Sequence, residues 1–432
     1  MFSTRLSFLV AALLALPARG SDLEREPIRY SSAPDDNAVS RLQRRIDLGQ
    51  VKLTYDEDHG YLRSLLHELH VSESSQLLVF SKTSLQRQRI GTKTPRAVYF
   101  GDDVYVGFCQ QGTVLEVSAV DPQLGTVFYS LDQEGSEKPR FVRQNDACLI
   151  CHASSQNQGF PGHLARSVLP DAEGYPILSA GTFRIDQTSP LKRRWGGWYV
   201  TGKSGAQTHL GNLVVRTKRP PSMEEIDNKA GANITDLNPW FKTAPYLTPH
   251  SDIVALLVLE HQAEMQNLIA RANYQTRLAL YEEAEINKAL GRPSDYRSET
   301  TTSRVRSAGE PLVKYLLFSD EAALTDRIQG ASGFAEEFVR GGPRDGKGRS
   351  LRDFDLKRRL FAYPCSYLIY SPEFDALPAL MKEYVYRRLH EVLTGRDASA
   401  DFAHLSEEDR TAVLEILTAT KPNLPANWKE TR

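Results

Sequence analysis

Hydrophobic residues first fall into a regular spacing at Tyr61, Leu62, Leu65, Leu66 and Leu69, the three- and four-residue intervals of an amphipathic helix. From Pro95 the period shortens. Residues 97–100 and 104–108 flank Gly101-Asp102-Asp103, and residues 114–120 and 126–131 flank Asp121-Pro122-Gln123-Leu124-Gly125, so two β-hairpins are predicted. Further short strands are expected at 178–185, 197–201 and 213–216. Beyond Pro220 the pattern turns helical again. Its longest periodic segment, 252–290, has Asp252 as N-cap and Gly291-Arg292-Pro293 as its stop. The polar run 298–303 separates that segment from helices expected near 310–340, 351–362, 376–394 and 406–419. Residues 21–40 read as a loosely packed lead-in.

These elements predict an α+β fold in which a β-rich central region is flanked by helical N-terminal and C-terminal regions. The expected divisions are 21–94, mostly helical; 95–217, β-rich; 218–305, dominated by the long helix; and 306–432, helical. Residues 1–20 have a different character. Arg5 precedes an apolar run from Leu6 to Leu16, and Ala18-Arg19-Gly20 places small residues where a signal peptidase reads, so cleavage after Gly20 and an exported, periplasmic location are expected. With 41% hydrophobic and 25% charged residues the chain can bury substantial cores, and no second apolar stretch is long enough to span a bilayer. Basic and acidic residues nearly balance, 53 against 54, which gives no support to nucleic-acid binding.

One pentapeptide changes the picture: Cys148-Leu149-Ile150-Cys151-His152 has the C-x-x-C-H order used to attach a haem covalently. Two thiols three residues apart lie close together on a helical turn, within reach of the two vinyl groups of a porphyrin. The following histidine is then held beneath the ring, where an imidazole nitrogen binds iron. Asn145 and Asp146 are suitable N-caps for a short helix carrying the motif. A thioredoxin-like dithiol, half of a zinc site or a simple disulfide are the competing readings; no second C-x-x-C exists, and a dithiol has no use for the adjacent histidine. Cys109 and Cys365, the remaining thiols, are free to be buried singly or to pair.

On these five residues the chain resembles a c-type cytochrome with one haem. The resemblance implies heme c as cofactor, Cys148 and Cys151 as its attachment sites and His152 as proximal iron ligand. For the sixth ligand, His209 stands in a glycine-rich loop after Trp195-Gly196-Gly197-Trp198-Tyr199, while His261 and Met265 share the apolar stripe of the long helix. The order of preference is His209, His261, then Met265. Arg140, Arg143, Arg166 and Arg184 are candidates to pair with the haem propionates, and Trp195 and Trp198 to pack on the porphyrin edge.

The function expected from this resemblance is electron transfer to or from a redox partner protein. The alternative is a haem enzyme, peroxidase- or oxidase-like, or a haem-based ligand sensor, with His163 and Arg166 available as a distal base and cation. Size favours the alternative, since the chain is longer than a one-haem shuttle requires. Two other motifs carry nothing. His67-Glu68-Leu69-His70 lacks zinc-protease spacing, and Gly341-Gly342-Pro343-Arg344-Asp345-Gly346-Lys347-Gly348 lacks the hydroxyl a phosphate loop needs.

Overall fold

The computed structural model describes residues 23–217, 222, 223 and 225–428, and the expected signal segment lies outside them. The lead-in is packed rather than loose. Tyr30 is fully buried and donates its hydroxyl to the Thr126 carbonyl at 2.8 Å. Asn37 caps α1 (Ala38–Asp47), accepting from the amides of Val39 and Ser40. The leucine-rich segment forms α2 (Leu62–Glu68), its apolar face buried at Leu62, Leu65 and Leu66.

The predicted hairpins form the core of the fold. β1 (Leu77–Val79), β2 (Arg96–Phe100), β3 (Val104–Phe108), β4 (Val114–Asp121), β5 (Gly125–Asp132) and β6 (Phe141–Arg143) lie in sequence order across an antiparallel sheet. The motif then forms α3 (Leu149–His152), and β7 (Arg166–Val168) pairs with β8 (Thr182–Arg184) as a separate ribbon. β9 (Trp198–Tyr199) returns to pair with β1, giving the order β6-β5-β4-β3-β2-β1-β9. The other expected strands differ. Residues 178–180 make a 3-10 turn ahead of β8, and 213–216 are irregular.

Both faces of the sheet are covered, which is why its strands read as nearly continuous apolar runs. Ala97, Tyr99, Val106 and Val117 pack with residues of α1 and α2 in one core. The opposite face meets α4 (Ile253–Ala289), capped by Asp252 as expected, and joins a second core built with the C-terminal helices. α4 runs over the hairpin ends: Gln262 donates to the Gly101 carbonyl at 2.8 Å and Gln266 to the Asp102 carbonyl at 2.7 Å.

The C-terminal region departs from its pattern at three places. The polar run thought to separate helices instead starts one, α5 (Glu299–Leu316), because the Ser298 hydroxyl accepts from the Thr301 amide. α5 ends near Phe318 and Asp320, both in the left-handed region, so α6 (Phe334–Arg340) is a separate short helix. Residues 351–362 hold an isolated bridge between Phe354 and Phe361 instead of a helix. α7 (Pro372–Asp375), α8 (Ala379–Leu393) and α9 (Glu407–Thr420) complete the chain. Cys109 and Cys365 are buried free thiols. Among the described residues, no helix is long and apolar enough to cross a membrane.

Candidate functional site

A cavity of about 440 Å³ opens on the α4 side of the sheet, and Cys148, Cys151 and His152 all line it. Its floor is a pair of cross-strand rows. Val98, Gly107, Glu116 and Ser130 face one another in register, and Tyr105, Ser118 and Phe128 form the next row. Gly107 interrupts an apolar strand where a side chain would fill the floor; one use of a glycine inside a strand is to admit close approach by a ligand. Trp198, Val168 and Leu259 add apolar wall, and the volume suits an organic cofactor.

α3 presents the motif on a single turn. Its cap is Cys148, not Asn145 or Asp146, and no side chain caps it; the backbone closes it through His152 N–H to the Cys148 carbonyl at 3.0 Å. Cys151 is exposed and Cys148 half-buried. Burial, reinforced by Glu116 and Cys151, pushes the Cys148 thiol up to about 11, so it is protonated at neutral pH.

His152 is fixed more tightly. Its Nδ1 faces the Gly162 carbonyl at 2.9 Å, and because a carbonyl only accepts, Nδ1 carries the proton. Nε2 is thereby the unprotonated nitrogen, with no protein partner among the described residues. Burial pushes the imidazole pKa below its usual value and outweighs the Gly162 bond, so the ring is neutral and able to bind a metal. Phe128 packs on it with ring centroids 4.6 Å apart.

His163 also lines the cavity, but its Nε2 meets Ser118 Oγ at 2.9 Å and its Nδ1 lies 3.4 Å from Thr126 Oγ1. The Tyr105 ring covers it at 3.9 Å, and burial holds its pKa near 3. The sixth-ligand candidates lie elsewhere. His209 is buried against Trp195 and accepts the Gly211 amide at its Nδ1. His261 sits in the C-terminal core between Gln187 at 2.6 Å and Ser366 at 2.8 Å. Neither lines the cavity, nor does Met265; the stripe of α4 that carries His261 and Met265 turns into the helical core, and His209 lies in the loop after β9.

Of the four arginines singled out by sequence, Arg166 lines the cavity and its guanidinium has no partner among the described residues. Arg143 is spent on the carbonyls of Ala33 and Tyr30, Arg184 pairs with Glu264, and Arg140 lies 3.7 Å from Asp47. Trp198 reaches the cavity and Trp195 does not. Sequence reading missed Arg96 and Glu116, which pair at 2.6 Å on neighbouring edges of the floor. Arg96 leaves Nε without a partner among the described residues.

These residues fit a haem: thiols at one edge, a neutral imidazole with a bare Nε2, apolar walls, and guanidiniums with spare donors for carboxylates. In comparisons with protein-family models, curated proteins and solved structures, no match is found. The resemblance to the c-type cytochromes is therefore corrected. No group of three or more His, Cys, Asp or Glu side chains that could hold a metal ion stands together among the described residues. The pentapeptide sits on a one-turn helix beside a seven-stranded sheet.

Proposed function

We propose that this chain is a haem protein in which one haem is joined to Cys148 and Cys151, with Nε2 of His152 toward its iron. The observation that carries the reading is a contact of His152: Nδ1 lies 2.9 Å from the Gly162 carbonyl, which commits it as the donor and leaves Nε2 bare beside the two thiols and a cavity of about 440 Å³. Attachment needs no oxidant. Each thiol adds across a vinyl double bond, its sulfur to one carbon and its hydrogen to the other.

A bound haem supplies a one-electron couple at iron. The chain's own part is to orient and insulate it. Val98, Val168 and Trp198 would shield it from water, Arg96 and Arg166 would offer donors to its carboxylates, and Cys151, one of the thiols that would hold it, is exposed. An exposed attachment point suits single-electron exchange with a protein partner in an exported compartment.

A second reading, a haem enzyme or ligand sensor, is favoured by one observation. Among the described residues no methionine lines the cavity, and both ring nitrogens of His163 are turned to hydroxyls. The spectrum of the reduced protein, made in a host that attaches haem to C-x-x-C-H sequences, separates the two. A spectrum unchanged by carbon monoxide means two protein ligands and electron transfer; a clear shift means an open position and the second reading. Absence of attached haem overturns both.

A further inference from the structure

We propose that Asn267, on α4, governs the hydrogen bond that holds the iron-binding imidazole, acting through the one peptide unit between Gly162 and His163. The proposal rests on the reading of His152 as the haem ligand. The carbonyl of Gly162 and the amide of His163 belong to the same rigid plane and point in opposite directions across it. On one side the amide donates to Asn267 Oδ1 at 2.9 Å. On the other the carbonyl accepts Nδ1–H of His152 at 2.9 Å. Turning either end of this unit turns the other.

The amide of Asn267 is itself held. Its Nδ2 donates to the His163 carbonyl at 2.9 Å and to Glu264 Oε2 at 3.1 Å, so rotating the side chain by half a turn sets donor against donor and acceptor against acceptor. Glu264 is paired with Arg184, which donates to the Gln156 carbonyl at 2.9 Å. Space is also committed. A Cβ at position 162 would stand 2.1 Å from Asn267 Oδ1, so only glycine admits the side chain this close to the backbone.

Hydrogen bonds in series polarise one another, and a carbonyl that accepts Nδ1–H makes the opposite nitrogen a stronger donor to a metal. Asn267 is thus a positioning residue whose effect is to favour the oxidised iron and lower the midpoint potential. The test uses the haem-loaded full chain and the variants Asn267→Ala and Gly162→Ala. Both are expected to raise the midpoint potential, and the double variant to raise it no further than the larger single change, since both break one path. Asn273→Ala, on the same helix and bonded to the Pro122 carbonyl at 3.3 Å, is expected to leave the potential in place. An unchanged potential in haem-loaded Asn267→Ala overturns the proposal, whereas a wild-type chain without attached haem overturns the reading beneath it. Should a variant fail to take haem, nitrogen-15 NMR of the haem-free protein decides instead. The Nδ1–H form of His152 is expected to dominate in wild type and lose population in both variants; an unchanged tautomer ratio overturns the proposal.

Discussion

His152 and Gly162 hold one another twice: Nδ1 of the imidazole donates to the Gly162 carbonyl at 2.9 Å, and the Gly162 amide donates to the His152 carbonyl at 3.0 Å. This closes the ten residues after the motif into a loop that sets the ring before any ligand arrives. Asn157 reinforces it from inside, donating to the same His152 carbonyl at 2.9 Å. Preorganisation of this kind reduces the ordering cost of binding.

The cavity floor should be sensitive to volume. Gly107→Leu places a side chain between Val98 and Glu116, the cross-strand neighbours of Gly107, and is expected to abolish haem loading while the sheet still folds. Absorbance per protein, read beside far-ultraviolet circular dichroism, checks it. Normal loading would show that the floor does not seat the haem.

The two motif thiols should differ in the haem-free protein. Cys151 is exposed, while Cys148 is half-buried with its pKa pushed up to about 11. Brief alkylation at pH 8 followed by peptide mapping is expected to label Cys151 first by a wide margin. Equal labelling would show that the turn does not hold Cys148 against Glu116.

The buried histidines set an acid limit. Burial pushes His209 down to about 4, so between pH 6.5 and 4 the unfolded chain binds a proton there that the folded chain refuses. Its contribution is level above pH 6.5 and is lost as pH falls below it. From pH 6.5 to 4.5 the stability difference between wild type and His209→Gln should shrink by about 2 kcal/mol. Denaturant titrations at those two pH values measure it, and a constant difference would place a charged ring in the folded state.

Arg194 and Glu260 form a pair with side chains only 4% and 1% exposed. Burial outweighs the arginine and pushes Glu260 up to about 8, and Arg194 also donates to the carbonyls of Ser189 and Gln187. Arg194→Leu strands all three acceptors and is expected to cost about 3–5 kcal/mol, with Glu260→Gln costing less. Equilibrium unfolding of both variants orders the two costs.

The hairpins and the long helix were legible because each is a local pattern: paired apolar runs around Gly101-Asp102-Asp103, and a capping Asp252 ahead of continuous helical spacing. The motif was legible for the same reason. Ser298 was misread because a polar run at a helix start looks like a linker until its hydroxyl is seen to cap. The cavity was illegible because its floor is assembled across β2 to β5, where Arg96, Gly107 and Glu116 each look like ordinary strand residues. Gly107, alone among the apolar residues of its strand, was the one available signal. His209 misled for a related reason. Its glycines serve close packing rather than a ligand: a Cβ at Gly211 would lie 2.3 Å from Val200 Cγ2.

Whether Cys148 and Cys151 carry a haem covalently is tested most directly by the intact mass of denatured protein from a host that matures such haems. The expected result is a mass greater by one haem that survives denaturation and disappears in Cys148→Ala/Cys151→Ala. An unmodified mass, with both thiols free or joined to each other in a host that loads other C-x-x-C-H proteins, would contradict it.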